Sequence, residues 1–173
     1  MLSLFQNQLA QATTWLTTAE QLLDNSDPSS PAQKTRIDYY TAQLRYKQED
    51  YPTARTLYQR ILAGTEASQE ETADPQQQQI KVYSLNWLVD LELQAENIQT
   101  AEQLLEQSWA IIQHQEDKRS HAFHQRSKAQ LEKLLNHPSA FRHWCLQARA
   151  SFRALGMQPQ AQEMQAWLNE ETE

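Results

Sequence analysis

The chain is poor in the residues that make sheets and tight loops: two Gly, two Val and six Ile in 173 residues. Without glycine there are few left-handed turns, which excludes a fold built on β-hairpins, bulges or phosphate-cradling glycine loops. The thin β-branched supply argues against strands of any kind. A single cysteine, Cys145, cannot form an internal disulfide and reads as a small buried hydrophobe. No apolar run approaches the roughly 20 residues of a membrane span. The Met-Leu-Ser-Leu-Phe start lacks the cationic flank and cleavage site of a signal peptide. Together these absences lead to an expected cytoplasmic protein that does not contact a membrane. What is present is 26 Gln, 21 Leu and 20 Ala, all good helix formers. A chain of this size buries roughly 70% of its unfolded surface, enough to fold without staples.

Apolar spacing predicts seven or eight amphipathic, antiparallel helices. Leu2, Phe5, Leu9, Ala12, Leu16, Ala19 and Leu23 stripe a first helix, which ends in the Asp-Pro and Ser-Pro pairs of 25–31. Ser30 is placed to cap a second helix from Pro31 to Glu49, with Ile37, Tyr40 and Leu44 inward. After a break at Asp50-Tyr51-Pro52, a third helix turns Ala54, Leu57, Tyr58, Ile61 and Leu62 inward and is expected to stop near Gly64. Residues 65–79 read as a long loop whose Gln run extends the next helix outward. Helix four carries Ile80, Tyr83, Trp87, Leu88 and Leu91, and helix five, after Glu96-Asn97, carries Ile98, Ala101, Leu104, Leu105, Ser108 and Ile112. Helix six runs from Lys118 to Asn136. His137-Pro138 separates it from helix seven, with Phe141, Trp144, Cys145, Ala148, Phe152 and Leu155 inward and Gly156 as the stop. A last helix from Gln158 turns Ala161, Met164, Trp167 and Leu168 inward before a charged tail.

Internal repetition separates a repeat array from a simple bundle. Ala19-Glu20-Gln21-Leu22-Leu23 recurs letter for letter as Ala101-Glu102-Gln103-Leu104-Leu105, with a looser copy at Ala54-Arg55-Thr56-Leu57-Tyr58 and a weaker one at Ala161–Gln165. Tyr46-Lys47-Gln48-Glu49-Asp50-Tyr51, followed by Ala54, Tyr58 and Leu62, resembles the centre of a tetratricopeptide repeat. In that family a Tyr-Lys-x-Gly-Asp-Tyr-like turn is followed by a small residue that lets the second helix pack closely. Here Ala54 takes the small position, Tyr58 the aromatic one, and Glu49 stands where Gly is usual. The same register places a second turn at Glu96-Asn97-Ile98, with Ala101 and Leu105 behind it. The steps between the key alanines are 35, 47 and 60 residues rather than a steady period, and the Trp-Leu-Gly pattern of the first helix is absent. The resemblance implies an all-α fold of antiparallel helical hairpins stacked as an α-solenoid. It would be one tetratricopeptide-like domain over 1–173, clearest at 31–115, with a basic helical part at 118–171. It also implies a non-catalytic scaffold or adaptor that binds a partner protein or peptide on its concave face, as in the sensor arms of larger signalling assemblies. No Gly-x-x-x-x-Gly-Lys loop supplies an ATPase here.

In that family the first helices of the repeats line the groove. On helices two and four this makes Tyr39, Gln43, Arg45, Lys47, Asn86, Asp90 and Gln94 the candidate partner-binding residues. Long polar side chains suit the clamping of a peptide. Tyr39, Tyr46, Trp15 and Trp109 do not all fit the inward stripes.

Chemistry has little support. His121 and His124, three apart, can share a helix face, but no His-Glu-x-x-His or Cys-x-x-Cys spacing accompanies them. Solvated or capping histidines, with Phe123 as the core residue, are the expectation. Neither a metal, a cofactor nor a catalytic residue is assigned. Charge distribution is more informative. The net charge is −7, which disfavours generic attraction to nucleic acid. Yet residues 118–153 hold 8 basic and one acidic side chain. Arg119, Arg126 and Lys133 recur by seven on helix six, and Arg142, Arg149 and Arg153 share a face of helix seven. The block has three readings: a solvated face paired with the acidic helices of its own array or of a symmetry-related copy, a surface for an acidic partner protein, and a nucleic-acid-associated subunit. The last is the rival to the scaffold reading.

Overall fold

Gln, Leu and Ala carry most of the chain into helix, so the architecture is decided by what ends each helix. The computed structural model of the protein describes residues 2–24, 31–67 and 75–170. Among them are eight helices and no strand: α1 (Leu2–Asp24), α2 (Pro31–Lys47), α3 (Tyr51–Ala67), α4 (Pro75–Gln94), α5 (Ile98–Ile112), α6 (Lys118–Leu134), α7 (Pro138–Ala154) and α8 (Gln158–Glu170). Ser30, residues 68–74 of the expected loop and the expected charged tail beyond Glu170 lie outside the described residues, as do the side chains of Leu2, Phe5 and Leu23.

Four of the connections are the same turn. Glu49, Glu96, Asn136 and Gly156 each adopt a left-handed backbone, with φ of 62°, 56°, 57° and 70°. In each, the next residue's N–H reaches back five positions to close the helix: Asp50 to the Arg45 carbonyl, Asn97 to Glu92, His137 to Glu132 and Met157 to Phe152, all at 2.9 Å. The left-handed residue itself donates to the carbonyl three before it, at 3.0–3.2 Å. This paired pattern is the Schellman motif, and it reverses the chain within three residues. Five residues after each left-handed position stands a buried side chain that opens the next helix: Ala54, Ala101, Phe141 and Ala161. The fold is therefore all-α, made of helical hairpins that follow one another in chain order.

The α5–α6 connection differs. Asp117 caps α6 by accepting from the Arg119 and Ser120 backbone N–H groups, both at 3.1 Å, and from the Ser120 hydroxyl at 2.6 Å.

The chain divides into two compact units, Met1–Ser84 and Leu85–Glu173, with the boundary inside α4. In the first, Tyr39, Ala42 and Leu44 of α2, Ala54, Leu57, Tyr58 and Ile61 of α3, and Ile80 and Val82 of α4 are buried. The Tyr39 ring meets Tyr58 edge-on at 6.3 Å and lies 6.4 Å from Tyr83. In the second, Val89, Leu93, Ala101, Leu105 and Leu131 form one cluster. Ala122, Ala129, Phe141, Cys145, Ala148, Phe152, Ala161, Met164 and Leu168 form another. Cys145 is a fully buried member of it. No helix among the described residues is long and apolar enough to cross a membrane.

Three expectations need correction. Helix α3 does not stop at Gly64 but continues to Ala67. Gly64 lacks the left-handed backbone of a stop, and Thr65-Glu66-Ala67 sustain the helix, so the residue costs propensity without breaking it. The inward aromatic of α2 is Tyr39, whereas Tyr40 is 52% exposed; apolar residues lie on several sides of this helix, so spacing alone does not select a face. Expected helix ends at Glu49 and Asn136 are the left-handed cap residues themselves, two positions beyond the last helical residue.

Candidate functional site

Helix α6 is the pivot of the second unit, and its two faces are built from opposite chemistry. Residues 119, 126 and 133 lie on one face, and 121, 124, 125 and 128 on the other. The small buried residues Ser120, Ala122, Ser127 and Ala129 run between these faces.

The first face is filled with ion pairs. Arg126 donates from one terminal nitrogen to both oxygens of Asp90 on α4, at 3.0 Å each, and from Nε and its other terminal nitrogen to Glu163 on α8, at 3.1 and 3.0 Å. Its guanidinium lies 5.8 Å from the centre of the Trp167 ring. Burial pushes the Asp90 carboxyl above its ordinary value, against the pull of Arg126 and of the Ser127 hydroxyl. The Arg126 guanidinium is held further into its charged form by Asp90 and Glu163, which outweigh its own burial. Lys133 pairs with Glu170 at 2.9 Å and lies 5.9 Å from the Phe141 and Trp167 ring centres. A shallow cleft of about 370 Å³ beside it is lined by these groups together with Glu132, Asn136, His137 and Pro138.

The second face is a cleft of about 470 Å³, lined by Leu105, Glu106 and Trp109 of α5, His121, His124, Gln125 and Lys128 of α6, and Trp144 and Gln147 of α7. Two polar contacts tie its helices to their neighbours. Ser108 on α5 donates to Asn86 of α4 at 3.2 Å, and Ser151 on α7 donates to Gln125 at 2.8 Å. Trp109 lies over His124 with ring centres 5.1 Å apart and a tilt of 30°, and meets the His121 ring edge-on at 5.6 Å. His121 Nε2 is 3.2 Å from the Gln115 carbonyl. Trp109 remains 43% exposed, so part of its indole is open to the cleft.

His124 is only 4% exposed, and its Nδ1 is buried with no hydrogen-bond partner. A neutral imidazole has one donor and one acceptor to satisfy, and here one of the two is left unmet. Burial, then the charges of Lys128 and His121, pulls its pKa down to about 4, so the ring is neutral at physiological pH. The expectation of a solvated or capping histidine is thus wrong for His124, because Trp109 covers it. Among the described residues no group of three His, Cys, Asp or Glu side chains is arranged to hold a metal ion.

The residues singled out from the sequence fall in several environments. Tyr39 is in the core of the first unit rather than open to a partner, Gln43 is half-buried and Lys47 exposed. Arg45 donates to Gln48 at 3.3 Å. In the second unit Asn86 and Asp90 face inward, to Ser108 and Arg126, while Gln94 is exposed. The sequence pattern puts Asp90 and Arg126 on two rival surfaces, whereas the structure joins them in one salt bridge. Of the basic block, Arg126 and Lys133 are paired within the chain, Arg149 donates to Gln165, and Arg119 lies 5.8 Å from the Phe123 ring centre. Arg142 and Arg153 are exposed. Two of the three α6 residues singled out, Arg126 and Lys133, are therefore paired with carboxylates of the chain's own helices α4 and α8.

Sequence reasoning missed the 470 Å³ cleft. Its one outward signal was Trp109, a large aromatic that fits no inward stripe. No protein-family model matches the chain, and no curated protein matches it in sequence.

Proposed function

We propose that the protein is a tetratricopeptide-like, non-catalytic interaction module of the cytoplasm, and that it holds a segment of a partner protein in the cleft between α5, α6 and α7. The observation that carries this reading is the cleft itself: a concave site with a half-open tryptophan, amide side chains at its rim and an unsatisfied buried imidazole in its wall. Clefts of this size with aromatic walls and a few polar groups are the usual form of a recognition site. The repeated hairpin turns support the family resemblance, because each places a small or buried residue at the same step into the next helix. Rigid hairpins lower the ordering cost of binding.

The nucleic-acid reading is weaker on this structure. Two of the three α6 cations that would contact phosphate already answer carboxylates of the chain.

Selection from a displayed library of random dodecapeptides, run in parallel on wild type and Trp109→Ala, tests the proposal. Peptides enriched on wild type and lost on the variant are expected. No enrichment, or enrichment indifferent to Trp109, would overturn it. Salt-sensitive binding of a homopolymeric oligonucleotide, abolished by Arg142→Glu with Arg153→Glu, would put the rival in its place.

A further inference from the structure

Lys128 places a cation in the wall of the cleft. The chain has 22 acidic against 15 basic residues, and on the opposite face of α6 both Arg126 and Lys133 are met by carboxylates. Lys128, half-buried in the cleft wall, makes no ion pair or hydrogen bond among the described residues. A half-buried cation in a cleft wall that no carboxylate meets offers a fixed positive charge to a ligand.

The neighbouring surface narrows the ligand further. One side of the Trp109 indole is occupied by His124, and what is open faces the cleft, where Trp144 also stands. Flat rings stack on or abut flat rings in preference to aliphatic chains of similar size. His124 contributes a buried nitrogen without a partner to the same wall. Resting on the reading of the cleft as a partner-binding site, we infer that its occupant is a peptide segment carrying an aromatic side chain next to a carboxylate. The ring lies against Trp109 and Trp144, and the carboxylate meets Lys128.

The charged and titratable groups around His124 are His121 and Lys128 on α6 and Glu106 on α5; the α7 lining contributes none. Glu106 is exposed at the rim, where water screens it. A carboxylate arriving at Lys128 cancels one of the charges that hold His124 neutral, so occupancy raises the His124 pKa. That gives a readout independent of affinity.

The test uses the full chain and acetylated, amidated tetrapeptides: Gly-Phe-Asp-Gly, Gly-Phe-Asn-Gly and Gly-Leu-Asp-Gly. The Trp109 indole N–H and the His124 ring are followed by NMR during titration. The Phe-Asp peptide is expected to bind, to shift both signals and to raise the His124 pKa. The Asn peptide is expected to bind about tenfold more weakly, the loss of one charge-assisted contact. Lys128→Gln should erase the Asp-over-Asn preference and Lys128→Arg should keep it, which separates lost charge from lost folding. Equal binding of the Asp and Asn peptides, or a preference that survives Lys128→Gln, overturns the carboxylate assignment. Equal binding of the Leu peptide overturns the aromatic one. If none of the tetrapeptides binds while the library yields Trp109-dependent ligands, this inference fails and the interaction reading stands. If the library also yields nothing, both fall.

Discussion

The two faces of α6 pose the same problem, polar groups removed from water, and solve it in opposite ways. On one, Arg126 spends four of its five N–H donors on Asp90 and Glu163. On the other, His124 keeps an unmet nitrogen under Trp109 while Lys128 stands without a carboxylate. A buried polar group that is fully answered adds to the stability of the fold, and one left unanswered costs stability. The difference teaches that the basic character of residues 118–153 is not one surface with one purpose.

The comparison breaks most visibly at Arg126. Arg126→Met leaves Asp90 buried and unpaired, and should lower unfolding stability by about 3–5 kcal/mol in urea denaturation. Adding Asp90→Leu should recover most of that loss, because a hydrophobic pair of similar volume is often as stable as a buried ion pair. Recovery that fails would mean the pair does more than offset its own burial.

The opposite face responds to acid. The folded pKa of His124, about 4, lies below the ordinary 6.5. Between these values the unfolded chain therefore binds the proton and the folded one does not. The stability that neutral His124 contributes is complete above pH 6.5 and is lost as the pH falls toward 4, to the extent of about 3 kcal/mol. Relative to His124→Leu, wild type should lose about that much more stability between pH 7 and pH 4. Parallel stability curves for the two proteins would show that His124 titrates normally.

The smallest effect sharpens the first face internally. Lys133 and Glu170 are 49% and 61% exposed, so their pairing is screened and worth little. Lys133→Ala should cost less than about 1 kcal/mol, mostly through the contacts of its stem with Phe141 and Trp167. A loss comparable to that of Arg126→Met would mean that exposure does not rank the two pairs.

Much of the fold was legible. The breaks expected at Glu96-Asn97, His137-Pro138 and Gly156 stand where the chain turns, and the one expected at Asp50-Tyr51-Pro52 overlaps its turn only at Asp50, since Tyr51 and Pro52 already belong to α3; polar residues, Pro and Gly have strong local preferences. What local preference cannot decide was misread. Gly64 looks like a stop, yet its role depends on a backbone conformation that nothing in its neighbours demands. Tyr39 and Tyr40 are adjacent and chemically alike, so only the third dimension assigns one to the core. The pairing of Asp90 with Arg126 spans 36 residues, and the shelter of His124 comes from a tryptophan on another helix. Contacts between distant helices leave no trace in the spacing along either one.

The four matching turns carry a consequence for how such a chain is assembled. Their left-handed residues stand at 49, 96, 136 and 156, hence 47, 40 and 20 positions apart. Helix α7 is the second arm of one hairpin and the first arm of the next. The conserved quantity along this chain is the joint and not the period. A ruler of fixed length laid along the sequence measures nothing, whereas the bond pattern of the joint marks four of the reversals directly. A helix between two such joints can be lengthened or shortened without disturbing the next reversal, because the bonds that close each reversal lie within its own turn.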